Sequence, residues 1–255
     1  MSSKTIGLIA AMPNEVRPLL RRIGPAERCR ERGFIRYRFA IDGVGITLVE
    51  SGMGPDRAAR AAEALAATSP AAIVSFGFGG AVLPGFEVGD LVVGVGCWLA
   101  SDGHLLPRGV IDRDLADDIL DGLGGARRRV AFGQIITSRK ILVKNALALR
   151  LPRELDAPVL DMETAAVAEI AGRYTIPLVA LRAVSDDARE ELSFTLDEFT
   201  DHDLNIRVTK VLATILRKPW IVHQLIRLAR NTSTAGATLA DAVIAASALL
   251  ARRPG

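Results

Sequence analysis

Short, wholly apolar runs alternate along the chain with segments whose apolar positions recur every three or four residues. The first run, residues 5–11 (TIGLIAA), predicts a buried strand, and Asn14 can cap a helix from Glu15 to about Arg22. Residues 35–41 and 46–50 flank Asp42-Gly43 and predict a hairpin. Ser51-Gly52-Met53-Gly54 is turn chemistry, and Pro55 suits the first turn of an Ala-rich helix over residues 56–68. A second buried strand, residues 71–76, runs into Gly77-Phe78-Gly79-Gly80, which reads as a glycine turn, and residues 90–99 give a third strand. The pattern continues with a helix over 113–123, a strand over 128–137 and a helix over 139–149. A short strand at 159–161, a helix at 164–173 and a strand at 178–185 follow. From Leu196 onward the chain reads as helical, with breaks at Pro219 and near residues 231–236. Strands and amphipathic helices in this alternation predict an α/β fold, a mixed central sheet covered by helices. Residues 1–215 read as the domain and residues 216–255 as a helical C-terminal extension.

Composition narrows the class. Of 255 residues, 49% are hydrophobic and 24% charged, which excludes a disordered chain. The two cysteines, Cys29 and Cys97, exclude a disulfide framework. No run of about 18 uncharged apolar residues is present, so no spanning helix is expected. Met1 to Lys4 lead straight into a strand, so no signal peptide is expected and the protein reads as cytoplasmic. A net charge of +3 does not by itself imply nucleic acid. The charge is uneven: residues 204–255 hold eight Lys/Arg and one acid, Asp241, while residues 186–203 hold eight acids.

Four strand ends carry candidate chemistry. The glycine run 77–80 lacks a dinucleotide fingerprint, because Val82 stands where the third glycine would be. It reads either as a tight turn or as backbone that a ligand approaches closely. Asp161-Met162-Glu163 follows a short strand. Glu163 reads either as an acid favoured by a helix N-terminus or as a carboxylate for vicinal hydroxyls. Ser185-Asp186-Asp187 closes a buried strand, where open α/β sheets bind ligands. Asp186 reads either as a cap or as a general acid. Glu15 is either a solvated first-turn residue or a fourth member of one acidic, glycine-lined cleft. His104, His202 and His223 lack metal-ligand spacing, so no metal is expected.

Taken together, these motifs resemble a known family. Residues 6–16 (IGLIAAMPNEV) are similar to the opening of methylthioadenosine/S-adenosylhomocysteine nucleosidases. So are Ser51-Gly52-Met53-Gly54, Gly77–Gly80 with Val88-Gly89-Asp90, Asp161-Met162-Glu163-Thr164-Ala165, and Arg182-Ala183-Val184-Ser185-Asp186. Order and spacing match over about residues 5–215, and the chain is identified as a member of the nucleoside phosphorylase/nucleosidase superfamily. The closing residues 216–220 (LRKPW) and 225–230 (LIRLAR) are similar to the extra tail of the hopanoid-biosynthesis phosphorylase branch, which is associated with removal of adenine from adenosylhopane.

The resemblance implies roles. Asp186 would protonate the purine N7, helped by Ser185. Glu163 would hold the ribose 2′- and 3′-hydroxyls, with Met162 packing on the sugar. Glu15 would sit where the nucleosidases activate water, with Ser51, Gly52 and Gly79 near the nucleophile. Leu142 and Val143 would take the purine-stacking place, and Phe194 would line the 5′-substituent pocket. Leu142 replaces an aromatic of the nucleosidases. The phosphorylases' Gly-Asp-Pro…Arg opening is missing, with Arg17 a nearby candidate for phosphate. The expected activity is N-glycosidic cleavage of an adenine nucleoside, preferably adenosylhopane, with methylthioadenosine or adenosylhomocysteine as the alternative. No cofactor is expected, and inorganic phosphate stays open as co-substrate. The expected partner is a small-molecule nucleoside, lipid-linked in the preferred reading, with no nucleic acid, and a homo-oligomer is expected. A non-catalytic nucleoside-binding or membrane-associated protein is the reading from another class. The basic, Trp-containing tail reads either as a helix on an anionic membrane face or as one docked on the sheet or a second subunit.

Overall fold

In a computed structural model the described residues are 4–140, 142–152, 155–189, 198–201, 207–218 and 220–253. Strand β1 (Thr5–Ala10) is buried along nearly its whole length, as its apolar run requires. It lies parallel between β4 (Val44–Glu50) and β5 (Ala72–Ala81). Beyond β4 the sheet continues antiparallel through β3 (Phe34–Ile41) to β2 (Glu27–Glu31). On the other side β5 pairs in parallel with β10 (Leu178–Asp186) and antiparallel with β9 (Val159–Asp161). β10 also pairs antiparallel with β6 (Leu91–Ser101), and β8 (Val130–Ser138) joins β6 to β9. Strands β5, β10, β6, β8 and β9 therefore close on one another, while β1, β4, β3 and β2 extend from β5 as an open wing. The sheet is mixed, and its closed part brings the ends of β5, β9 and β10 together.

Helices cover both faces. Helix α1 (Pro13–Ile23), α3 (Arg113–Gly122) and α7 (Ile221–Arg252) pack around Leu8, Val74, Leu91 and Leu181. Helix α2 (Pro55–Ala66) and α5 (Thr164–Arg173) cover the opposite face around Ile9, Ile73, Val92 and Ala180. The Ala-rich stripe of α2, Ala58, Ala61, Ala62 and Leu65, is what lets it lie close to α5.

Several sequence expectations are corrected. Gly77–Gly80 is not a turn: it is the end of β5, paired with β10 and β9. Helix α1 begins at Pro13, with Met12 rather than Asn14 at the cap position. The expected helix over 139–149 is only α4 (Lys144–Ala148). Strand β2, a polar edge strand, and β7 (His104–Pro107), a short hairpin arm on β6, are absent from the sequence expectation.

The C-terminal segment departs furthest. After α6 (Val208–Arg217), α7 is one uninterrupted helix of 32 residues, with no break near 231–236. Pro219 lies outside the described residues. Gly236 is buried where α7 crosses α1: a Cβ there would stand 3.0 Å from Pro18, so the glycine serves close approach rather than interruption. Arg22 ties the crossing, donating to Ala237 O at 2.6 Å and pairing with Asp241 at 3.1 Å. By length and composition α7 is apolar enough to cross a membrane, yet half of its most apolar window is buried in this fold. The apolar residues of the tail divide: Ile221, Leu225 and Leu228 turn inward against Phe199, while Trp220, Leu216 and Ile226 are exposed.

Candidate active site

The cleft lies where the ends of β5, β9 and β10 meet the start of α1. It encloses about 240 Å³, and its lining includes Glu15, Met162, Glu163, Ser185 and Asp186. Met12, Met53, Phe78, Leu142 and Leu160 make the walls largely apolar.

Glu15 sits in the first turn of α1, but it is only 3% exposed. Instead of meeting water, its Oε2 accepts the N–H groups of Ala11 (2.9 Å) and Met12 (2.8 Å), and its Oε1 accepts that of Phe78 (2.9 Å). Burial raises its pKa above the ordinary carboxyl value. The Phe78, Met12 and Ala11 N–H groups and the Arg182 charge oppose that rise.

Glu163 occupies the N-cap position of α5 without capping it. Its carboxyl reaches across the cleft, where Oε1 accepts the Gly54 N–H at 2.8 Å. Burial, then the negative charges of Asp161 and Glu15, push its pKa up to about 8 against the pull of Gly54 N–H and Arg182. Beneath it Asp161 is a structural anchor. Asp161 accepts from Thr137 Oγ1 at 2.6 Å, from Thr164 N at 3.0 Å and from Arg182 Nε and Nη2 at 3.0 and 2.8 Å. This buried network fixes the β9–α5 junction and so the place of Met162 and Glu163.

Asp186 ends β10 at an irregularity in its pairing with β5, which sets Asp186 opposite Gly80. An extra residue at such a point turns side chains to a new direction. Ser185 Oγ donates to Asp186 Oδ1 at 2.6 Å, and Lys144 forms an ion pair with Oδ2. The glycines make this possible. A Cβ on Gly77 would lie 2.7 Å from Glu15 Oε1, and one on Gly80 would lie 2.7 Å from Asp186 Oδ2. The glycine run is thus not a turn, and the side chains that approach it closely are those of Glu15 and Asp186.

A second, much smaller cavity of about 10 Å³ lies behind Glu15, bordered by Ser51, Ser75, Glu163 and Arg182. Ser51 faces this cavity rather than the main cleft, with its Oγ donating to Gly52 O at 2.9 Å. Gly79 and Leu142 line the main cleft. Gly52 does not: it lies against the Arg57 side chain. Val143 is 60% exposed and borders a separate cavity of about 400 Å³ with Leu142, Ala146, Leu147 and His104. Phe194 lies outside the described residues. Arg17 is directed into a groove between α1 and α7, away from the cleft.

Sequence reasoning misses Lys144, Ser138, Lys140, Met12 and Met53. A lone Lys in an expected amphipathic helix reads as a solvated face, and nothing in the sequence marks it otherwise.

Comparison with known proteins gives a consistent picture. The Phosphorylase superfamily model matches residues 5–217. The 5′-methylthioadenosine/S-adenosylhomocysteine nucleosidase of Listeria innocua is 26% identical over 223 residues, covering 76% of this chain and 91% of that protein. Among solved structures, the nucleosidase of the same name from Neisseria meningitidis, in complex with methylthio-immucillin-A, has a TM-score of 0.73 at 20% identity. That likeness covers 95% of this chain and 98% of the other. Futalosine hydrolase of Helicobacter pylori has a TM-score of 0.74 at 15% identity, covering 96% and 97% of the two chains. With the family model spanning most of its length, the chain belongs to the phosphorylase superfamily.

Proposed function

We propose that the protein hydrolyses the N-glycosidic bond of an adenine nucleoside, with water as the nucleophile. The observation that carries this reading is the place of Glu15: a buried carboxyl, held by three backbone N–H groups, beside a cavity of about 10 Å³. That volume suits one water molecule. Arg182 is the one cation among the described residues bordering it. Its guanidinium is already committed to Asp161, Ser75 Oγ, Thr164 Oγ1 and the Ser75 and Leu181 carbonyls. A phosphate dianion placed there would meet two carboxyl groups and no uncommitted cation, so water is favoured over phosphate.

The chemistry follows from the two ends of the cleft. As the C1′–N9 bond breaks, its electron pair passes to the base, and Asp186 in its acid form places a proton on N7. Glu163 accepts hydrogen bonds from the ribose hydroxyls. Water adds its oxygen to C1′ and gives a proton to Glu15. Carboxylates near the sugar favour its developing positive charge more in the transition state than in the ground state. Met12, Met53, Phe78 and Met162 suit an apolar 5′-substituent, and likeness to the 5′-methylthioadenosine/S-adenosylhomocysteine nucleosidases favours methylthioadenosine and adenosylhomocysteine.

A second reading, adenosylhopane in hopanoid biosynthesis, draws support from the similarity of the tail and from one surface. Leu216, Trp220 and Ile226 are exposed beside Arg217, Arg227 and Arg230, and Asp241 is the one acid between residues 207 and 253. Such a face suits the anionic headgroups of an inner membrane leaflet, each cation contributing about 1 kcal/mol. Adenine release from 5′-methylthioadenosine, adenosylhomocysteine and vesicle-borne adenosylhopane, compared by kcat/KM, separates the two. Preference for the soluble thioethers, with no sedimentation on anionic vesicles at low salt, would remove the lipid reading.

A further inference from the structure

We propose that Lys144 is a positioning residue for Asp186, fixing its carboxyl at the leaving base and stabilising the carboxylate that remains once the proton has passed to the base. This rests on the N-glycosidic reading above. Lys144 is the first residue of α4 and is only 5% exposed. Its Nζ meets Asp186 Oδ2, Asp187 O at 2.7 Å and Asp186 O at 3.3 Å. An ammonium has three donors, and all three acceptors come from the turn that ends β10. With Ser185 Oγ on Oδ1, each oxygen of Asp186 holds one donor, so the side chain is pinned in a single orientation at the base end of the cleft.

A buried ion pair is a poor way to stabilise a fold, because desolvation offsets most of the attraction. A cation buried beside the one carboxyl that must deliver a proton has a chemical use. When Asp186 gives its proton to N7, the Lys144 ammonium stabilises the carboxylate that is left, and its own N–H bonds stay intact. The bond made is N7–H, the bond lost is Asp186 O–H, and solvent returns a proton to Asp186 after the base has left. Strand β5 is shaped to the pair: a Cβ on Gly80 would stand 2.7 Å from Asp186 Oδ2 and 3.1 Å from Lys144 Cε. Among the described residues, the other titratable groups facing the cleft are Lys140 before α4, Asp161 and Glu163 at the β9–α5 junction, and Glu15 from α1. Asp187 adjoins the pair through its carbonyl.

The experiment compares wild type, Lys144→Met and Lys144→Arg on the adenine nucleoside that the wild type cleaves fastest, from pH 5 to 9. The ratio of variant to wild type at each pH cancels the titration of Glu15 and Glu163, which all three share. For Lys144→Met we expect kcat to fall about 10- to 100-fold at pH 5, part of the range typical of general acids, and only about 3-fold at pH 9, because losing the cation favours the acid form. KM should stay within about 3-fold, and Lys144→Arg should recover part of the loss. An unchanged kcat in folded Lys144→Met, or a loss of equal size at every pH, overturns the proposal and leaves the nucleosidase reading standing. If Lys144→Met does not fold, Lys144→Gln takes its place, and the same pH-dependent loss supports the proposal while an unchanged or pH-independent kcat overturns it. A wild type that releases no adenine from any nucleoside overturns the nucleosidase reading, and this proposal with it.

Discussion

Gly80 faces Asp186 across the β5–β10 pair, and a Cβ at Gly80 would lie 2.7 Å from the Asp186 carboxyl. The strand is therefore bare at the one place where the candidate acid must lie flat against it. Gly80→Ala should push Asp186 and Lys144 out of line. A misplacement of about 1 Å can cost about 100-fold in rate, so kcat should fall by about 10- to 100-fold with the fold retained. Steady-state kinetics beside a circular dichroism spectrum check this. A folded Gly80→Ala with wild-type kcat would mean that the carboxyl's position does not matter.

Asp186→Asn keeps the shape of the side chain and removes the proton. Loss of general acid catalysis typically costs about 10²–10⁴-fold, and that is the fall in kcat expected here. The loss should sit in kcat rather than KM, because the amide still fills the same space. Near-wild-type turnover by Asp186→Asn would reassign the acid.

Glu163→Gln tests the sugar end. The Glu163 Oε1 accepts Gly54 N–H at 2.8 Å and Oε2 accepts Met162 N–H at 3.3 Å, so each oxygen keeps a lone pair for the ribose diol. Above its raised pKa of about 8 the carboxylate makes charge-assisted hydrogen bonds that are lost only where hydroxyls exist, so the comparison is made at about pH 9. The substitution should therefore lower kcat/KM on ribosides by about 10-fold or more beyond its effect on 2′-deoxyribosides. Equal losses on both would return Glu163 to a structural role.

The same residue makes a prediction about stability. Its pKa rises from 4.5 in the unfolded chain to about 8 in the fold, first through burial and then through Asp161 and Glu15. A group raised in this way binds its proton more tightly when folded. Its contribution is complete below the unfolded value and is lost as pH climbs through the folded one. Wild type should thus lose stability between about pH 5 and pH 8 through this group, and Glu163→Gln should not. The Tm of Glu163→Gln relative to wild type should be several degrees higher at pH 8.5 than at pH 5. A difference that stays constant with pH would contradict the burial of this carboxyl.

The parts of the site legible in the sequence are those that sit on apolar strands. The run before Asp186 and the one before Glu163 mark strand ends by themselves, and β5, although longer than its apolar run, is legible for the same reason. The sequence places Glu15 near a strand end, but its burial follows from three backbone N–H groups on two elements, which no local pattern records. The glycine run looks like a turn because glycine marks turns more often than strands. In this fold it is bare because two carboxyls lean on it. Lys144 is hidden for the opposite reason: α4 is a short helix whose first residue points inward, against the usual placement of Lys. The continuity of α7 is masked at Gly236, where packing against Pro18 outweighs glycine's weak helix propensity.

The central claim is hydrolytic release of adenine from a nucleoside, and one measurement tests it most directly. The wild-type protein is given 5′-methylthioadenosine in buffer free of phosphate and again in excess phosphate. Adenine is followed by chromatography, and the sugar product is identified by mass and by ³¹P resonance. The account predicts adenine at the same rate in both buffers and a free sugar with no phosphate ester. A sugar 1-phosphate with no turnover in phosphate-free buffer would contradict the water-sized pocket at Glu15, and no adenine in either buffer, with other adenine nucleosides equally inert, would contradict the account itself.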